Sequence, residues 1–100
     1  MMKNRIQIPE DLLDIAPGYL ANRIRDLTGL KDALIRRDLD FIAKLAHKTK
    51  GTAGGYGFTE LTPLSKTLEL AAKSGNLTEV ESALEAVQKY LETVEIANSA

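Results

Sequence analysis

One hundred residues with 44% apolar and 27% charged side chains have the size and balance of a single globular domain with one core. Thirteen basic and fourteen acidic side chains leave a net charge of −1, so no global field draws the chain to nucleic acid or an anionic membrane. There is no cysteine for a disulfide or thiolate metal site, and no apolar run approaches the ~18 residues of a membrane span or the core of a signal peptide, so a cytoplasmic protein is expected.

The chain reads as helices throughout, because β-branched and aromatic residues do not alternate with polar ones over a useful length. Pro9 and the segment from Glu10 to Ala16 predict a short leading helix, ended by Pro17-Gly18. Its Leu12, Leu13 and Ile15 suit either the end of a bundle or part of a docking face. A second helix runs from about Tyr19 to Ile35 through Leu20, Ile24, Leu27 and Leu34, weakened at Gly29 by about 1 kcal/mol relative to alanine. Asp38 caps a third, whose core face is Leu39, Ile42, Ala46, Thr49 and Ala53; Phe41 falls off that face. In the fourth, Leu61, Leu64, Leu68 and Ala71 recur at helical spacing, with Thr59 or Thr62 as the cap. Pro63 belongs in its first turn, where a missing N–H costs nothing, and Gly75 ends it. The last helix draws one stripe through Leu77, Val80, Leu84, Val87, Leu91 and Val94, opened by a capping box of Asn76 and Glu79.

Four amphipathic helices joined by short turns, with a short extra N-terminal helix, predict an all-α fold. The expected form is an antiparallel up-down-up-down four-helix bundle occupying residues 1–100 as one domain. Met1 and a complete bundle suggest a free-standing chain, and the lack of a second seam suggests a monomer.

One stretch breaks the rules of helix design: four of the seven residues from Gly51 to Gly57 are glycine. Three helical glycines cost about 2–3 kcal/mol together, which a marginally stable domain tolerates when the missing side chains have a use. Just before them stands His47, the single histidine, so no histidine pair and no multi-histidine metal site can form within the chain. On a wheel of ~100° per residue His47 lies roughly 120° from the centre of the core face and reaches solvent. Its helical neighbours Ala43, Gly51 and Gly54 are all small, leaving the imidazole proud on a docking surface. Lys50 can lay its stem along the apolar flank and bring its ammonium to the imidazole edge, while Lys44 and Lys48 add positive charge. Such charges oppose protonation of the ring and stabilise an anion placed on it, by about 1–4 kcal/mol for one ammonium at ~4 Å.

The run Ala46-His47-Lys48-Thr49-Lys50-Gly51-Thr52-Ala53-Gly54-Gly55-Tyr56-Gly57 closely resembles the signature of histidine-containing phosphotransfer (Hpt) domains. That pattern is histidine, two residues, lysine-glycine, five residues and glycine, met by His47, Lys50, Gly51 and Gly57. The likeness extends over residues 38–76, through Asp38 to Leu45, Leu68-Glu69 and Gly75-Asn76. The resemblance implies a four-helix bundle that carries phosphoryl groups in a two-component phosphorelay. His47 would accept the group from a receiver-domain aspartate, on its outer nitrogen Nε2, and pass it to another receiver aspartate. The partners implied are receiver domains of response regulators or hybrid sensor kinases, which bring their own Mg²⁺. The chain itself would hold no cofactor and no metal, and have no kinase, phosphatase or nucleotide-binding activity. Carried over by position, Lys50 steadies the phosphoryl charge, Gly51 gives the receiver clearance and Gly57 is the turn glycine that closes the histidine helix. Ala43, Lys44, Lys48, Gly51 and Gly54 would form the docking surface. Thr49 departs from the pattern, standing where leucine is usual, and its hydroxyl would bond back to the Leu45 carbonyl.

Two nucleotide readings of the glycines fail. A phosphate-binding loop needs lysine after the glycines rather than before them, and a dinucleotide fingerprint needs a preceding strand. The alternative is a non-phosphorylated helical protein-interaction module, in which the small residues serve close helix packing and His47 is replaceable.

Overall fold

The computed structural model describes residues 4–97; Met1, on which the free-standing expectation leaned, lies outside them. Four helices carry most of the chain: α1 (Ala16–Ile35), α2 (Leu39–Ala53), α3 (Leu61–Ser74) and α4 (Leu77–Thr93). α1 packs on α2, α2 on α3, α3 on α4, and α4 back on α1, closing a ring around one core. No helix among the described residues is long and apolar enough to cross a membrane.

The helix boundaries follow from local chemistry. Asp38 caps α2 by accepting the Phe41 amide at 3.1 Å, and Asn76 caps α4 by accepting the Glu79 amide at 3.1 Å. Gly75 ends α3 in the left-handed conformation, φ +76°. The end of α1 uses Arg37 in the same role at φ +61°, with Asp38 N–H donating to the Ala33 carbonyl and Arg37 N–H to that of Leu34. α3 begins after Glu60, with no side-chain cap from Thr59 or Thr62, and Pro63 sits in its first turn.

Four expectations are corrected. Pro17-Gly18 open α1 rather than end a leading helix, since proline's missing N–H falls among the first amides, which have no partner inside a helix. What precedes is only a 3₁₀ turn at Glu10–Leu12. The chain is also not helical throughout: β1 (Asn4–Gln7) pairs in parallel with β2 (Val94–Ala97), setting Ile6 opposite Ile96. The signal was a short alternation, Ile6 and Ile8 with Arg5 and Gln7, and Val94 and Ile96 with Glu95, too brief to stand out from helical spacing. Val94, assigned above to the last helix, begins β2 and is buried there. Finally Ile24 is 43% exposed, because the buried stripe of α1 runs instead through Ala16, Tyr19, Leu27, Leu30 and Ala33.

The far end of α2 is pinned by aromatic packing. Tyr19 stacks on Tyr56 with centroids 4.2 Å apart and on Phe58 at 5.7 Å, and its hydroxyl bonds that of Thr52 at 2.6 Å. Phe41 lies over Gly29 of α1, its ring 3.7 Å from where a Cβ would stand, and stays 40% exposed. On α4 the Tyr90 hydroxyl is buried with no partner among the described residues; burial, then the charge of Glu60, pushes it up to about 12.

Candidate functional site

α2 turns Ile42, Ala46, Thr49 and Ala53 into the core and leaves His47 on the outer face, its side chain 67% exposed. α3 packs alongside and delivers an acid to the imidazole. Glu69 is 2% exposed, yet both its oxygens are occupied. Its Oε2 lies 2.8 Å from His47 Nδ1 and accepts from Lys73 Nζ at 3.0 Å, while its Oε1 accepts from Lys50 Nζ at 2.7 Å. The ammonium groups of Lys50 and then Lys73 hold the Glu69 carboxyl at about 2, against the opposing effect of desolvation. An ionised carboxylate has no proton to give, so Nδ1 must be the donor in its bond to Glu69. In the neutral ring the proton therefore sits on Nδ1 and the lone pair on Nε2.

The residues singled out in the sequence are placed as follows. Lys50 does reach the neighbourhood of the ring, but its ammonium bonds Glu69 rather than the imidazole edge. Lys44 is exposed and tied to Asp40 at 2.9 Å, which raises its pKa through that hydrogen bond and charge. Lys48 is exposed on the other flank, towards Tyr19 and Tyr56. Gly51 is exposed, and a Cβ there would meet nothing within 4 Å. Gly54 lies beyond the last turn of α2, where a Cβ would face the Thr62 hydroxyl at 3.7 Å. Gly57 holds φ +94° and closes the segment: its N–H donates to Gly54 and Phe58 N–H to Ala53. Ile15, 49% exposed, lines an open groove with Lys48, Thr52 and Gly18.

Two further readings change. Ala43 is no open surface: it is 8% exposed, because α3 packs over that side of α2, and it floors a groove lined by Asp40, Lys44, His47, Glu69 and Lys73. Thr49 is buried as the wheel places it, but the hydroxyl that bonds back along the helix is that of Thr52, to the Lys48 carbonyl at 3.2 Å.

Glu69 and Lys73 were not among the sequence candidates. An available signal was an acid set between Ser65 and Ala72 on the buried side of α3, with lysine four residues on. A carboxylate there needs cationic partners.

The family model of the Hpt domain matches residues 18–97. No curated protein and no solved structure matches the chain.

Proposed function

The chain belongs to the Hpt domain family, whose members carry phosphoryl groups on a histidine in phosphorelays, and from that premise we propose that its carrier atom is Nε2 of His47. The observation that carries this reading is the bond between Nδ1 and a buried, ionised Glu69, which leaves Nε2 with the lone pair on an exposed ring. The donor is the aspartyl phosphate of a receiver domain. The Nε2 lone pair forms the N–P bond as the P–O bond breaks, and that electron pair leaves on the aspartate. Nδ1 keeps its proton throughout, so the phosphorylated ring is an imidazolium cation. Glu69 accepts from that N–H and offsets the positive charge, as a carboxylate does for an imidazolium elsewhere in catalysis. Lys50 adds a positive charge nearby, held in place on the same carboxylate. The reverse sequence delivers the group to a second receiver aspartate.

In this reading the receiver docks over Lys44, Lys48, Gly51 and Gly54 with Ala43 beneath. Among these the bare backbone at Gly51 supports a close approach. The short connections at 36–38 and 75–76 support helices running alternately up and down. The chain acts as a cytoplasmic monomer without kinase, phosphatase or nucleotide-binding activity of its own.

The test is phosphotransfer from phosphorylated receiver domains to the purified protein, read by intact mass beside His47→Ala. One phosphate gained, lost in acid and absent from the variant, is expected. No transfer from a broad panel of receivers would leave a helical interaction module in which His47 is replaceable.

A further inference from the structure

Residues 18–97 match the family model, so the segment from Asn4 to Pro17 lies outside the match. That segment is fastened at one end and inserted at the next. β1 pairs with β2 alone among the described residues, in a sheet of two strands. Such a sheet has little stability of its own and lasts by what it packs on. Here Ile6 and Ile96 pack against the core, and Ile8, 1% exposed, lies inside it. Ile8 Cδ1 fills the space that a side chain on Gly57 would need.

The end of α2 leans on this plug. Gly57 N–H donates to the Gly54 carbonyl at 3.1 Å and Phe58 N–H to that of Ala53 at 3.0 Å, closing the helix. Tyr56 and Phe58 stack on Tyr19, whose hydroxyl bonds Thr52, and the Thr52 hydroxyl bonds the Lys48 carbonyl. Four glycines between Gly51 and Gly57 give this stretch little stiffness of its own, so its shape is imposed from outside, by Ile8 and the aromatic stack. It carries Lys48, Gly51 and Gly54, over which the receiver docks in the function proposed above. The bond of His47 to Glu69 joins α2 to α3 and does not involve the N-terminal segment.

From these facts we infer that residues 4–13 are a releasable strap that controls receiver docking. Clipped to β2, the strap holds the end of α2 in the shape the receiver binds. Lifted, with Ile8 withdrawn from Gly57, it lets that end loosen, so receiver affinity falls while the imidazole keeps its reactivity. This rests on the phosphocarrier reading and adds a point of control to it. Because the lifted state binds the receiver more weakly, whatever draws β1 off β2 lowers transfer, by linkage alone.

The experiment compares the full-length wild type, Ile8→Ala, and Ile8→Ala carrying Ile6→Cys and Ile96→Cys, opposite each other in the sheet of a chain with no cysteine of its own. Amide hydrogen exchange reads the strap, and phosphate uptake is measured from a receiver and from phosphoramidate. In Ile8→Ala the Gly57 and Phe58 amides should exchange about tenfold faster, with those in the middle of α3 and α4 changed less. Transfer from a limiting receiver should fall about five- to tenfold, and loading by phosphoramidate should stay within about twofold of wild type. Oxidising the cysteine pair should restore receiver transfer, and reducing it should abolish the rescue. Equal acceleration of all amides, or receiver transfer at the wild-type rate despite faster exchange at Phe58, overturns the control. So does a parallel fall of receiver transfer and phosphoramidate loading, which would place the damage at His47 itself. A wild type that takes phosphate from neither donor overturns the carrier reading, and with it the control of transfer, while the exchange rates alone decide whether the strap holds the helix end.

Discussion

Glu69 is an acid 2% exposed, with three cationic or N–H donors gathered on its two oxygens. Its carboxyl titrates at about 2 in the folded chain against an ordinary value of 4.5, so it adds stability above 4.5 that is lost as the pH falls towards about 2. Denaturant unfolding followed through that window should show the decline, and Glu69→Gln should flatten it. The same variant keeps the shape but not the charge that offsets the phosphorylated imidazolium, so receiver-to-His47 transfer is expected to slow about tenfold. An unchanged rate would remove Glu69 from the chemistry and leave it a structural acid. His47 and Lys50 were legible in the sequence because they lie three residues apart on one helix. Glu69 was not, because its bond to His47 spans 22 residues and two helices, and no spacing within one helix encodes that.

At the scale of the element, α2 is a helix with a soft end. Gly51 is inside it and exposed, with open space where a side chain would be. Gly51→Ala should therefore stabilise the protein by about 1 kcal/mol in thermal or denaturant unfolding. Gly51→Leu should fold as well as the alanine variant yet lose receiver transfer, because its side chain would stand in the docking path. Transfer at the wild-type rate in the leucine variant would mean that the receiver approaches from another side. The four helices were legible because their apolar residues recur at helical spacing, and two of them because Asp38 and Asn76 stand at their starts as caps. The start of α1 was misread because a Pro-Gly pair marks a turn as readily as a helix N-terminus. Here the first turn of α1 absorbs both residues.

Across the whole molecule, the N-terminal segment reaches the end of the histidine helix. Ile8, 1% exposed, follows β1, and its Cδ1 would lie 2.5 Å from a Cβ built on Gly57. Gly57→Ala therefore meets both a left-handed backbone and a filled site, and should cost about 1–3 kcal/mol. Ile8→Ala should cost about 2–4 kcal/mol through the cavity it leaves. Combined, the two should be less damaging than their sum, since the truncated Ile8 vacates the space that the new methyl needs. A double-mutant cycle that closes additively would show that the contact is not felt.

The sequence by itself determined the helical class, the caps at Asp38 and Asn76, the exposed His47 and the shaved surface after it. Each is a local matter of periodicity, capping chemistry or side-chain size. Tertiary structure alone decided the rest. It brought Glu69 and Lys73 to the imidazole, covered Ala43 with α3, and joined the two ends of the chain as parallel strands. Those outcomes depend on which helix faces lie together, and that is set by packing over the whole core rather than by any single segment.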